Sequence, residues 1–77
     1  MNVTCKILDY TICVSNGVTE LLFRMDDLET IFVEYEYMTI RVKGQNYKIY
    51  VGDSGMDAAH KVCDKIMKAV DGDDDYA

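Results

Sequence analysis

The chain has no proline and no tryptophan, a single histidine, three cysteines and two phenylalanines among its 77 residues. Without proline there is no polyproline linker, and with 49% apolar or aromatic residues the composition is that of a folded chain rather than a disordered one. The length allows one domain, near the size at which a single core only just offsets chain entropy, so dimerisation is one route to further buried surface. Cys5, Cys13 and Cys63 are odd in number and scattered, which excludes a disulfide framework and leaves buried, reduced thiols as the default. No window approaches the roughly 18 apolar residues of a membrane span. The opening MNVTCKILDY lacks the basic and apolar segments of a secretory signal, so the chain reads as cytoplasmic and Asn2-Val3-Thr4 is not read as a glycosylation site. The five glycines fall in no GxGxxG or GxxxxGK order, which removes the common phosphate-cradling loops.

Basic residues are also scarce. Eight Lys and Arg against 14 Asp and Glu give a net charge of −6. Such a balance opposes direct binding to a phosphate backbone or an anionic membrane and steers the molecule toward basic partners.

What is present is hydrophobic alternation. Asn16-Gly17 is the strongest hairpin signal, since both residues tolerate the positive φ of a two-residue type I′ turn. Pairing Ser15 with Val18 places Leu8, Tyr10, Ile12 and Val14 on one face with Thr19, Leu21, Phe23 and Met25. Val3, Cys5 and Ile7 have the opposite parity, which requires a bulge or bend near Ile7-Leu8. A second change of parity, between Ile31, Val33, Tyr35 and Met38, Ile40, Val42, predicts a turn at Glu36-Tyr37 that sets Val33 against Ile40 and Glu34 against Thr39. Gly44-Gln45 predicts a third turn, setting Val42 against Tyr47, Ile40 against Ile49 and Met38 against Val51, with Arg41 opposite Lys48 as an unfavourable like-charge pair.

After Val51 the period changes from 2 to about 3.6. Met56, Ala59, His60, Cys63, Ile66, Met67 and Val70 form an apolar stripe opposite Asp57, Lys61, Asp64, Lys65 and Lys68. This is an amphipathic helix, with Asp53 or Ser54 as N-cap, Gly72 as C-cap and i,i+4 pairs Asp57–Lys61 and Asp64–Lys68. The expected fold is therefore α+β: an antiparallel meander of about five strands with one C-terminal helix on its apolar face. Residues 1–72 form the domain and 73–77 a flexible acidic tail.

Chemistry is weakly indicated. His60 and Cys63 stand one helical turn apart, as an imidazole activating a thiol or a metal pair would, but both lie on the stripe assigned to packing and neither has further ligands at suitable spacing. Asp71 to Asp75 resembles a fragment of a calcium loop but lacks the following Glu and second helix. Gly52 to Gly55 precedes a helix, yet Asp53 and Asp57 would repel an anion there. Ser15 and Ser54 have no neighbouring His. No cofactor, metal site or catalytic residue is assigned, and the chain is read as non-enzymatic.

The remaining signal is acidic and aromatic. Glu20, Asp26, Asp27, Glu29, Glu34 and Glu36 are counterweighted within their stretch by Arg24 alone. Such a run is ordinarily a solvated face. Beside Tyr37 and Tyr50 it also suits contact with a basic protein, because carboxylates spaced along strands can occupy Arg and Lys sites that otherwise hold phosphates. The partner-binding candidates are Asp26, Asp27, Glu29, Glu34, Glu36 and Tyr37.

Size, acidity, tyrosine content and the lack of a catalytic signature together resemble the small acidic inhibitors of phages and other mobile elements, including anti-CRISPR proteins. The resemblance is one of type and not of motif, so it carries over no functional position. It implies a protein that binds a host defence complex, at its nucleic-acid-binding or nuclease surface, or that acts by dimerising its target or blocking a conformational change; the first of these would make it a block on a basic, nucleic-acid-binding site. The competing expectation is a self-associating structural or adaptor module whose acidity serves solubility.

Overall fold

The computed structural model describes residues 2–71. Strands β1 (Thr4–Leu8), β2 (Thr11–Ser15) and β3 (Glu20–Arg24) form one antiparallel sheet, and β4 (Leu28–Glu34), β5 (Tyr37–Val42) and β6 (Gln45–Tyr50) a second, before helix α1 (Met56–Asp71). The α+β class, the antiparallel pairing and the C-terminal helix agree with expectation. The single five-stranded meander does not.

Two local features account for the difference. The parity change near Ile7-Leu8 is a hairpin and not a bulge: Asp9 and Tyr10 both take positive φ, 53° and 65°, and reverse the chain so that Cys5 pairs with Val14 and Ile7 with Ile12. The expected first strand thus becomes two. Between β3 and β4 a 3-10 turn at Met25–Asp27 interrupts the extended chain, at two consecutive aspartates that are poor strand formers.

Each of the three anticipated hairpins keeps its parity but slips in register. Ser15 pairs with Glu20 instead of Val18, because Asn16 closes a longer loop. Its Oδ1 accepts from the Val18 and Thr19 N–H groups at 2.9 and 2.7 Å. The next turns fall at Tyr35-Glu36 and Lys43-Gly44, one residue earlier than expected, so Val33 faces Met38 and Ile40 faces Tyr47. Glu36, Lys43 and Gly44 supply the positive φ at 65°, 51° and 81°. A slip of two pairing positions leaves every strand residue on its original face, so the apolar pattern alone does not distinguish the registers. It does remove the Arg41–Lys48 clash, since Arg41 faces Asn46. Tyr35, expected inside, sits exposed in the turn.

One apolar cluster joins Ile12, Val14 and Phe23 of the first sheet, Ile31, Met38, Ile40 and Ile49 of the second, and Ala59, Val62 and Ile66 of α1, which packs on β4 and β1. Full burial of side chains such as Ile12, Met38, Ile40, Ile49 and Ile66 contributes about 1.5–3 kcal/mol each.

The helix is rotated from its expected setting. Val62 is buried while His60, assigned to the inner stripe, is exposed, as are Met67 and Val70. Burying Val62 in that place spares the imidazole a desolvation cost. The N-terminus is entered through a 3-10 turn, Asp53–Gly55, that begins at Gly52 (φ 74°) without a side-chain cap. The proposed Gly72 cap, the calcium-like run and the tail 73–77 extend outside the described residues.

Candidate protein-binding face

Alternation along the second sheet sends one set of side chains to the core and the other outward. The outward set is Phe32 and Glu34 of β4, Tyr37, Thr39 and Arg41 of β5, and Asn46, Lys48 and Tyr50 of β6. Register places Phe32, Thr39 and Lys48 in one cross-strand row and Glu34, Tyr37 and Tyr50 in the next. α1 packs with the inward set, and among the described residues this face is open.

The two rows are tied together by polar and aromatic contacts. Thr39, flanked by Phe32 and Lys48, is only 3% exposed, and its hydroxyl donates to Glu34 Oε1 at 2.7 Å. Tyr37 and Tyr50, 39% and 41% exposed, meet edge to face with ring centres 5.4 Å apart, a contact worth about 0.5–1.5 kcal/mol beyond area burial. Lys48 Nζ lies 3.8 Å from Glu34 Oε1 and 5.7 Å from the centre of the Tyr37 ring. At the other end, Arg41 Nε donates to Glu29 Oε1 at 2.8 Å and Arg41 Nη1 to Asn46 Oδ1 at 3.4 Å. Exposed ion pairs of this kind are worth about 0–1 kcal/mol, so they order the surface more than they stabilise the fold.

These pairs decide the electrostatics. Arg41 and Lys48 are matched by Glu29 and Glu34, so the aromatic face is locally neutral and offers no excess cation to a phosphate backbone. Exposed Tyr beside a charged hydrogen-bonding rim is instead the composition of a protein interface centre.

The residues proposed from sequence fall into two groups at opposite ends of β4. Asp26, exposed, and Asp27, half-buried, lie in the 3-10 turn before it, with Asp27 Oδ2 3.7 Å from Lys43 Nζ, and Glu29 is bound to Arg41. Glu34, Glu36 and Tyr37 gather at its far end. Glu36 acts there mainly through its backbone: its carbonyl accepts the Val51 and Gly52 N–H groups at 2.9 and 3.2 Å. Asp27, Glu29 and Glu34 are therefore already engaged by the chain's own cations. Phe32, Arg41 and Lys48 were absent from the proposed set, although strand alternation puts Phe32 beside Glu34 and would have found it.

His60 and Cys63 do not form a dyad. The imidazole is in solvent, whereas Cys63 packs against the core, where burial first and Asp64 second push its thiol up to about 11. Cys5 is raised by burial, with Lys65 acting in the opposite sense. Cys13 is raised by partial desolvation and by Glu20, whose Oε2 accepts its S–H at 3.5 Å. None is thereby activated as a nucleophile. Among the described residues no group of three or more His, Cys, Asp or Glu is placed to hold a metal ion, and no helix is long and apolar enough to cross a membrane. No family model matches the chain, and no curated protein or solved structure is significantly similar to it.

Proposed function

We propose that this is a non-enzymatic binding protein whose contact surface is the outer face of the second sheet, centred on Tyr37, Tyr50 and Glu34, and whose partner is a protein presenting basic side chains. The observation that carries the reading is the exposed Tyr37–Tyr50 pair set against the Glu34 carboxylate. Two rings already fixed against each other lose little entropy on binding, and an adjacent acid gives a basic partner its orientation. The resemblance to small acidic inhibitors extends this to a defence complex whose nucleic-acid-binding surface would be blocked. Asp26 and Glu36, which form no ion pair among the described residues, then add attraction at the rim.

The test is affinity capture from the native host with wild-type, Tyr37→Ala and Glu34→Lys baits, each verified as folded by circular dichroism. A specific partner should be recovered by the wild type, weakened by added salt, and lost with both variants. Truncation of a central tyrosine is expected to cost about thirtyfold in affinity. Equal recovery by all three baits would remove this face from the interaction.

A further inference from the structure

Lys48 occupies a niche built for a cation. A carboxylate beside the face of an aromatic ring attracts positive charge from two directions, and here Glu34 and Tyr37 provide both while Tyr50 steadies the Tyr37 ring. The chain's own ammonium holds this place loosely. Its side chain is 56% exposed, and 3.8 Å from Glu34 Oε1 is well beyond a charge-assisted hydrogen bond of about 2.8 Å. Its 5.7 Å from the ring centre is close to the outer limit of about 6 Å for a cation–π contact. The receiving carboxylate, by contrast, is fixed by the buried Thr39 hydroxyl at 2.7 Å. Both contacts use Oε1, and Oε2 accepts no hydrogen bond among the described residues.

We infer that Glu34, Tyr37 and Tyr50 form a receptor site for an arginine side chain of the partner protein, filled in the free protein by Lys48, which moves aside on binding. A guanidinium fits better than the resident ammonium. Its planar fork can bond Oε1 and Oε2 together while lying flat on the Tyr37 ring, and it sheds its hydration more readily. Lys48 acts as a placeholder that only a better-matched cation displaces, which makes the site selective at some cost in affinity. The inference rests on the reading of this face as the contact surface and narrows the partner's chemistry from basic to arginine-bearing.

The experiment titrates the full chain with N-acetyl-arginine methylamide, using the lysine and citrulline counterparts as controls, and follows backbone amide resonances by NMR. The arginine compound should shift the Glu34, Tyr37 and Tyr50 amides, the lysine compound should do so more weakly, and neutral citrulline should not. Lys48→Met should bind about two- to fivefold more tightly than the wild type, the factor by which an exposed ion pair competes. Glu34→Gln, which keeps an acceptor for Thr39, should lose the effect. Unchanged affinity in Lys48→Met, unchanged binding in Glu34→Gln, or lysine binding as well as arginine would overturn the inference. If arginine fails to bind while Tyr37→Ala still abolishes partner capture, the niche is wrong and the face survives. If arginine binds but capture ignores Tyr37, the niche stands and the face loses its role.

Discussion

The side-chain amide of Asn16 donates to the carbonyl oxygen of Tyr50 at 2.7 Å, so a loop of the first sheet is bonded to the last residue of the second, 34 positions away in sequence. The geometry of β6 explains the acceptor. In a ladder closed by the two-residue Lys43-Gly44 turn, Val42 and Gln45 exchange backbone bonds, and Asn46, Lys48 and Tyr50 then aim theirs away from β5. Tyr50 thus offers an unpaired edge carbonyl, and Asn16 satisfies it. Asn16→Asp keeps the acceptor used by Val18 and Thr19 but removes the donor to Tyr50, and should cost about 1–2 kcal/mol; Asn16→Ala removes all three bonds and should cost more. Urea unfolding measures both. An Asn16→Asp protein as stable as the wild type would show that the bond between the sheets contributes nothing net.

The Asp9-Tyr10 turn stores strain. Tyr10 holds φ at 65°, where an L side chain with a Cβ costs roughly 1–2 kcal/mol, and its ring, 67% exposed, gains little burial in return. Its carbonyl accepts the Met25 N–H at 2.7 Å, a backbone bond that any residue at this position preserves. Tyr10→Gly should therefore stabilise the fold by about 0.5–1 kcal/mol once glycine's greater freedom in the unfolded chain is subtracted. Thermal unfolding should show a midpoint raised by a few degrees. A lowered midpoint would mean that the tyrosine ring contributes more than its exposure allows.

Parity and three of the chain reversals were legible in the sequence, while the reversal at Asp9-Tyr10, the exact turn positions and the pairing partners were not. The alternation of Ile12 and Val14, or of Met38, Ile40 and Val42, states which side is buried, because burial has the period of the strand. The same alternation is unchanged by a slip of two, so the pairings of Val33 and Ile40 depended on turns whose residues give weak signals. Tyr35-Glu36 and Asp9-Tyr10 contain neither glycine nor asparagine, and Asn16-Gly17, which contains both, closes a longer loop because the Asn16 side chain is recruited to hold it. On the helix, Val62 and His60 lie on either side of the apolar stripe, and only the position of β4 and β1 decides which one is buried. At the candidate site the acids were visible as composition. Their neutralisation by Arg41, Lys43 and Lys48 was not, since it arises from register.

Cys63 makes the stability of the fold fall at high pH. Burial, helped by Asp64, raises its thiol from 9.0 to about 11 in the folded protein, so between those values the unfolded chain has lost a proton that the folded one keeps. The stability linked to this proton is fully present below pH 9.0 and is lost as pH rises through about 11. Relative to Cys63→Ala, the wild type should lose at most about 2.7 kcal/mol across that window, two pKa units at 1.36 kcal/mol each, and less in proportion as the half-buried thiol keeps some solvent. The chain's other ionisable groups occur in both proteins and cancel in the difference. At about pH 8 the same shift leaves little thiolate, so iodoacetamide should label Cys63 in the folded protein far more slowly than in urea. Folded-state labelling at the rate of a free cysteine, or a parallel pH dependence in Cys63→Ala, would place this thiol outside the packed interface between α1 and the sheets.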